Sequence, residues 1–218
     1  GACTGTAGCT VSMTMAKSVT ATFYQVYPLT VTKSGTGSGT VTSTPAGISC
    51  GATCSANYRS GAFVTLTATP TLGHTFIGWS GDCTGALASC TLSITAAKSV
   101  TATFNIQTYL LSVAKSGTGS GTVTSVPEGI SCGADCSEIS TYNTAVTLTA
   151  TPAPGSIFAG WSGACTGTAG CTVNMTLAKS VTATFYQVYP LSLTKSGTGL
   201  GTVTSTPAGI SCGATCSA

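Results

Sequence analysis

The sequence predicts an all-β protein, a tandem array of small disulfide-stapled β domains of about 81 residues, with about six short strands each and no significant helix. Three observations carry this. The same segments recur at a period near 81 residues. Apolar side chains alternate with Thr and Ser at a period of two rather than 3.6. The 12 cysteines fall into six close pairs that recur with the unit.

The repeat fixes the organisation. The segment Lys-Ser-Gly-Thr-Gly-x-Gly-Thr-Val-Thr-Ser begins at Lys33, Lys115 and Lys195, and Ala-Lys-Ser-Val-Thr-Ala-Thr-Phe ends at Phe23, Phe104 and Phe185. A second period lies above the first, because residues 1–56 match residues 163–218 at 51 of 56 positions. Alternate units are thus more alike than adjacent ones, which reads as duplication of a two-unit block. The chain parses as the C-terminal part of a repeat (1–27), two complete repeats (28–108 and 109–189) and the N-terminal part of another (190–218), a window on a longer array. The connections at 23–29 and 104–110 are rich in β-formers, unlike a Gly/Ser tether, and predict neighbouring units held in a restricted orientation.

Within the first complete unit, Leu29 and Val31 open an inward-facing set and Val41 follows on the next strand. Val64, Leu66 and Ala68 alternate with Thr65, Thr67 and Thr69, then Cys90, Leu92 and Ile94 form a further set, and Val100, Ala102 and Phe104 close the unit. Val146, Leu148 and Ala150 repeat the pattern in the second unit. Thr suits the outer face, because its β-branch favours extended backbone while its hydroxyl stays hydrated. The glycine run from Ser34 to Gly39 is expected to be a hairpin loop joining two strands, and Pro70-Thr71-Leu72-Gly73 to punctuate the next pair.

The cysteine pairs are Cys3/Cys9, Cys50/Cys54, Cys83/Cys90, Cys132/Cys136, Cys165/Cys171 and Cys212/Cys216. An even, recurring set in a strand-and-turn chain reads as structural disulfides made in an oxidising compartment. Four cysteines per unit allow three connectivities, and spacing alone does not choose among them. Pairing within each close pair is the expectation. The alternative, four thiolates around one zinc per unit, is the less favoured reading. Haem attachment is excluded, since the single histidine, His74, adjoins no cysteine.

Charge narrows the function classes. Only 5% of residues are charged, and Asp82, Glu128, Asp135, Glu138 and His74 are the whole supply of strong general acids and bases. No catalytic residue, no cofactor and no metal ligand is therefore assigned. Six lysines and Arg59 are scattered singly, so nucleic acid is not an expected partner. Mean hydropathy is +0.41, yet Thr, Ser and Gly interrupt every apolar stretch, and no membrane span is expected in this segment.

The remaining motifs favour bland roles. Gly35-Thr36-Gly37-Ser38-Gly39 lacks the dinucleotide-loop spacing, and Gly78-Trp79-Ser80-Gly81 is half a nucleophile elbow without its partners. His74 aligns with Ser156 and reads as a solvated turn residue. Trp79 and Trp161, each close to Phe76 or Phe158, suit a sugar-stacking platform or a core; a unit this poor in large residues favours the core. The lysines lack a recurring Asp, Asn or Glu with which to form isopeptide links. Asn174-Met175-Thr176 is a single glycosylation triplet, not a property of the repeat.

In each unit the order is Lys-Ser-Gly-x-Gly-x-Gly-x-Val-Thr-Ser-x-Pro-x-Gly-Ile-Ser-Cys-Gly-x-x-Cys, then Val-Thr-Leu-Thr-Ala-Thr-Pro, Phe-x-Gly-Trp-Ser-Gly-x-Cys and Lys-Ser-Val-Thr-Ala-Thr-Phe. This string resembles the divergent internalin B-repeat family of bacterial surface proteins, over essentially the whole chain. The resemblance implies a small β-rich domain, related to the grasp-like B repeat without its helix, strung in tandem in secreted or cell-surface proteins as spacers, stalks and adhesive arms. It transfers no site residue. The expected function is structural, a segment of an extracellular stalk or filament, and not an enzyme. The expected partner is a like repeat in a fibre, through strand addition at hydroxyl-rich edges. The second reading is an array of carbohydrate- or surface-binding adhesin modules with a polysaccharide or surface ligand, appended to a secreted enzyme or standing alone.

Overall fold

The structure, a computed structural model, describes residues 3, 5 and 7–212. It divides into two compact units, Gly1–Ile106 and Gln107–Ala218. Among the described residues every regular element is a strand.

The first unit contains β1 (Val26–Ser34), β2 (Gly39–Thr44), β3 (Ser49–Cys50), β4 (Ser55–Arg59), β5 (Phe63–Pro70), β6 (His74–Gly81), β7 (Ser89–Ser93) and β8 (Lys98–Ile106). They form two sheets of order β4-β1-β8-β6 and β3-β2-β5-β7. The second sheet is antiparallel throughout. In the first, β1 pairs antiparallel with β4 but parallel with β8, from Leu29 against Lys98 to Ser34 against Thr103. The first and last strands of the unit thus run the same way, side by side. A bulge between Phe76 and Gly78 interrupts the β6–β8 ladder.

The inner faces of the two sheets close on one core. Leu29, Val31, Val100, Ala102 and Phe104 come from one sheet and Val41, Val64, Leu66 and Leu92 from the other, all buried. These are the inward sets expected from the alternation, and the intervening Thr and Ser face outward as the pleat requires. Cross-strand hydroxyl pairs lace the outside, such as Thr65 to Thr91 at 2.8 Å and Ser34 to Thr103 at 2.8 Å.

The second unit repeats the plan with β9 (Thr108–Ser116), β10 (Gly121–Val126), β11 (Ser137–Thr141), β12 (Ala145–Pro152), β13 (Ser156–Gly163), β14 (Cys171–Asn174) and β15 (Lys179–Gln187). Its sheets are β11-β9-β15-β13 and β10-β12-β14, with β9 and β15 parallel. Leu111, Val123, Val146, Leu148, Val181 and Phe185 fill its core. The β3 counterpart is reduced to isolated bridges of Ser131 with Thr124 and Asp135.

Two expectations are corrected. The complete units carry eight and seven strands rather than about six, because the short β3 and the polar edge strands β4 and β11 show too little alternation to be read from sequence. The glycine run is not a hairpin, since the β1 and β2 it joins lie in different sheets. It passes from one sheet to the other while lying on the end of β8. Gly37 N donates to Phe104 O at 2.8 Å. A Cβ at Gly35 (φ +92°) would strike that same carbonyl, and one at Gly39 would enter the Phe104 ring. Absence of side chains here serves close backbone approach, as well as the turn.

Flanking segments behave differently. Among the described residues no strand precedes Val26, and after Gln187 there are isolated bridges, that of Thr204 with Ser211 among them, and no strand.

Candidate functional site

The features that recur in both units are structural. Disulfides join Cys3 to Cys9, Cys50 to Cys54, Cys83 to Cys90, Cys132 to Cys136, and Cys165 to Cys171. Cys212 is also disulfide-bonded, while Cys216 lies outside the described residues. Each ring closes locally, with Cα separations of 4.3 Å for Cys50–Cys54 and 6.5 Å for Cys83–Cys90. The zinc alternative fails on geometry as well as on oxidation. Cys50 in β3 and Cys90 in β7 occupy opposite edges of one four-stranded sheet, roughly 14 Å apart at ordinary strand spacing.

Beside the Cys50 ring sits a polar hub for which the sequence reading assigned no role. Ser43 Oγ accepts from Ile48 N at 2.9 Å, donates to Pro45 O at 2.9 Å and lies 2.7 Å from the Tyr58 hydroxyl. Ser125 repeats it, donating to Pro127 O at 2.7 Å and accepting from Ile130 N at 2.9 Å, and Ser205 does so again with Pro207 and Ile210. The signal was present in the recurring Ser-x-Pro of each unit, where a short hydroxyl side chain can satisfy a turn's own backbone.

Both tryptophans are in the core. Trp79 and Trp161 are 5% and 6% exposed. Their indole N–H groups donate to Leu87 O at 2.9 Å and Ala169 O at 3.0 Å. Phe76 and Phe158 pack against them at 5.0 and 4.9 Å between ring centroids, and Phe104 and Phe185 complete each cluster. A stacking platform needs an open ring face, so neither tryptophan supplies one.

The chemistry-bearing residues differ between units. His74 is half-buried and its Nδ1 accepts from Ser38 N at 3.2 Å, a part played in the second unit by Ser156 Oγ toward Ser120 N at 3.0 Å. His74 therefore pins the glycine crossing instead of standing in a solvated turn. Asp82 accepts from Ser99 N at 2.7 Å and from Lys98 Nζ at 3.0 Å. The Ser99 amide first, then Lys98, hold its carboxyl below the usual value. Ala164 occupies that position in the second unit. Lys33 and Lys115 each donate to a glycine carbonyl, of Gly39 at 3.1 Å and Gly121 at 3.0 Å. Asn174 ends β14 exposed. Glu128, Asp135 and Glu138 lie around the second unit's Cys132 ring, at positions held by Ala46, Thr53 and Ala56 in the first. Among the described residues no group of three or more His, Cys, Asp or Glu is placed to hold a metal, and no helix is long and apolar enough to cross a membrane.

Among solved structures, the chain is similar to the Bacillus anthracis TIE protein, at 8% identity and a TM-score of 0.47 over 75% of this chain. It spans only 34% of that protein. It is also similar to the major pilin T-13 of Streptococcus pyogenes, at 11% identity and a TM-score of 0.37, over 77% of this chain and 98% of the pilin. The minor pilin GBS52 of Streptococcus agalactiae gives 10% identity and a TM-score of 0.25, over 79% and 100% of the respective chains. No curated protein matches the sequence. The divergent InlB B-repeat domain model matches residues 29–108 and again residues 111–188. With most of its length in those two matches, the chain belongs to the divergent InlB B-repeat family, as a tandem pair of disulfide-stapled all-β repeats.

Proposed function

We propose that this chain is a segment of an extracellular structural array, a stalk or fibre of bacterial-surface type, and that it is not an enzyme. One observation carries the reading. The first and last strands of each unit are parallel neighbours, so the chain enters a unit at one end of the sheet and leaves it at the other. Each nine-residue terminal strand covers about 30 Å. A repeat built this way advances the chain by its own length, which is what a spacer requires, and only Gln107 separates β8 from β9.

Two further features support it. Every residue role shared by the units is structural: core, disulfide ring, Ser–Pro hub and glycine crossing. Groups able to do acid–base chemistry are the ones that change from unit to unit. Local disulfides belong to an oxidising compartment, which supports a secreted or cell-surface location.

Electron microscopy of the native material, with and without reductant, tests the proposal. A fibre with an axial repeat of one or two units, loosened by reduction, supports it. Compact particles with no axial repeat refute the fibre.

A further inference from the structure

Strands β4 and β11 occupy equivalent positions in their units, each at the edge of its sheet with one side unpaired. The two edges carry opposite charge. β4 ends in Arg59, the chain's single arginine, exposed and with its guanidinium 3.9 Å from the centroid of the exposed Tyr24 ring. At the corresponding edge of the second unit stand Glu138 on β11, Asp135 just before it and Glu128 in the adjoining loop. Thr141 replaces the arginine there. Apart from Asp82, which already pairs with Lys98, these three are all the carboxylate side chains of the chain.

Glu128 and Glu138 line a cleft of about 320 Å³ with Ile139 and Thr141, and Ile139 is 63% exposed beside it. An unpaired strand is a template for another strand. Like edges would set arginine against arginine or three carboxylates against three, whereas unlike edges attract, so charge selects the partner edge.

Resting on the fibre reading above, we propose that the β4 edge of the first unit docks on the β11 edge of the second unit in another copy of this chain. The sheet ladder continues across the contact, and Arg59 enters the Glu128/Glu138 cleft. Because donor and acceptor edges lie on different units, the contact is head-to-tail and propagates. It also gives the two-unit period of the sequence a physical meaning, since a single unit carries only one of the two edges.

The test is self-association of the full oxidised chain by sedimentation, against ionic strength. The wild type is expected to assemble and to weaken with salt. Arg59→Glu alone, and Glu128→Lys/Asp135→Lys/Glu138→Lys together, are each expected to raise the dissociation constant at least about tenfold. Combining all four substitutions in one chain, or mixing the two variants, restores assembly. Unchanged tryptophan emission verifies that the variants are folded. Assembly that is indifferent to these charges overturns the edge assignment and leaves the fibre reading standing. A wild type that stays monomeric at every concentration and salt overturns both.

Discussion

Replacing Ser125 by alanine removes a small side chain and two hydrogen bonds at once. The hydroxyl donates to Pro127 O at 2.7 Å and accepts from the buried Ile130 N at 2.9 Å, and Ser125 is itself 5% exposed. Losing the bond to Pro127 O costs about 1 kcal/mol, and leaving the buried Ile130 amide without a partner costs about 1–3 kcal/mol. The expected loss is therefore about 2–4 kcal/mol, confined to the second unit. Hydrogen exchange followed by mass spectrometry on the full chain resolves this, because the peptide around Ile48 in the first unit is an internal control. Protection around Ile130 should fall roughly 30- to 700-fold, at tenfold per 1.4 kcal/mol, while that around Ile48 is unchanged. Ser43→Ala inverts the pattern at the smaller cost of about 1–3 kcal/mol for the stranded Ile48 amide, since the Tyr58 hydroxyl still reaches Pro45 O at 3.5 Å. The exposed Ser34, bonded to Thr103, is the negative control and should stay within about 0.5 kcal/mol on replacement by alanine. If Ser125→Ala changes protection no more than Ser34→Ala does, the hub does not hold the loop and the reasoning fails.

Three further outcomes are expected. Cys132→Ala/Cys136→Ala opens a five-residue ring and should destabilise the second unit by about 2 kcal/mol on the chain-entropy estimate, read by urea unfolding of the oxidised chain. With both indoles buried, native tryptophan emission should be blue-shifted, poorly quenched by iodide and unmoved by soluble polysaccharide; strong quenching would contradict the buried placement. The Asp82 carboxyl, held down by the Ser99 amide and Lys98, stabilises the fold above the ordinary aspartate pKa of about 3.9. That stabilisation disappears as pH falls through the lowered folded value. A carboxyl NMR titration should place Asp82 below that ordinary value, and Lys98→Met should raise it; an unshifted titration refutes the assignment.

Much of the fold was legible because period two survives wherever one face is buried. Val64, Leu66, Ala68, Val100, Ala102 and Phe104 announce their burial by alternating with threonine. The candidate site was legible in part. That the tryptophans belong to the core followed from the scarcity of large residues, and local cysteine pairing was the simplest of three connectivities. The partnering of strands was not legible. Glycine between two β-runs signals a turn, but nothing local states whether the next strand pairs beside the last or crosses to the opposite sheet. The Phe104–Asn105 backbone that the glycine run lies against is about 70 residues away in sequence.

The chain contains its own comparison of local with tertiary coding. Lys-Ser-Val-Thr-Ala-Thr-Phe occurs three times, and at Lys98 and Lys179 it is a central strand with Phe104 and Phe185 fully buried. At Lys17 the identical heptapeptide forms no strand and Phe23 is 91% exposed. In the complete units this strand is held between a parallel neighbour and an antiparallel one, and among the described residues no strand pairs with residues 17–23. Its β propensity is therefore insufficient alone, as expected when strand stability comes from cross-strand packing. The Ser-x-Pro hub behaves the opposite way, since Ser205 makes the same two bonds as Ser125 in a segment whose described residues form isolated bridges and no strand. Hydrogen bonds spanning two and five residues need no distant partner. Hub and disulfide are thus locally encoded, and they preset the turns on which the long-range strands of each repeat can close.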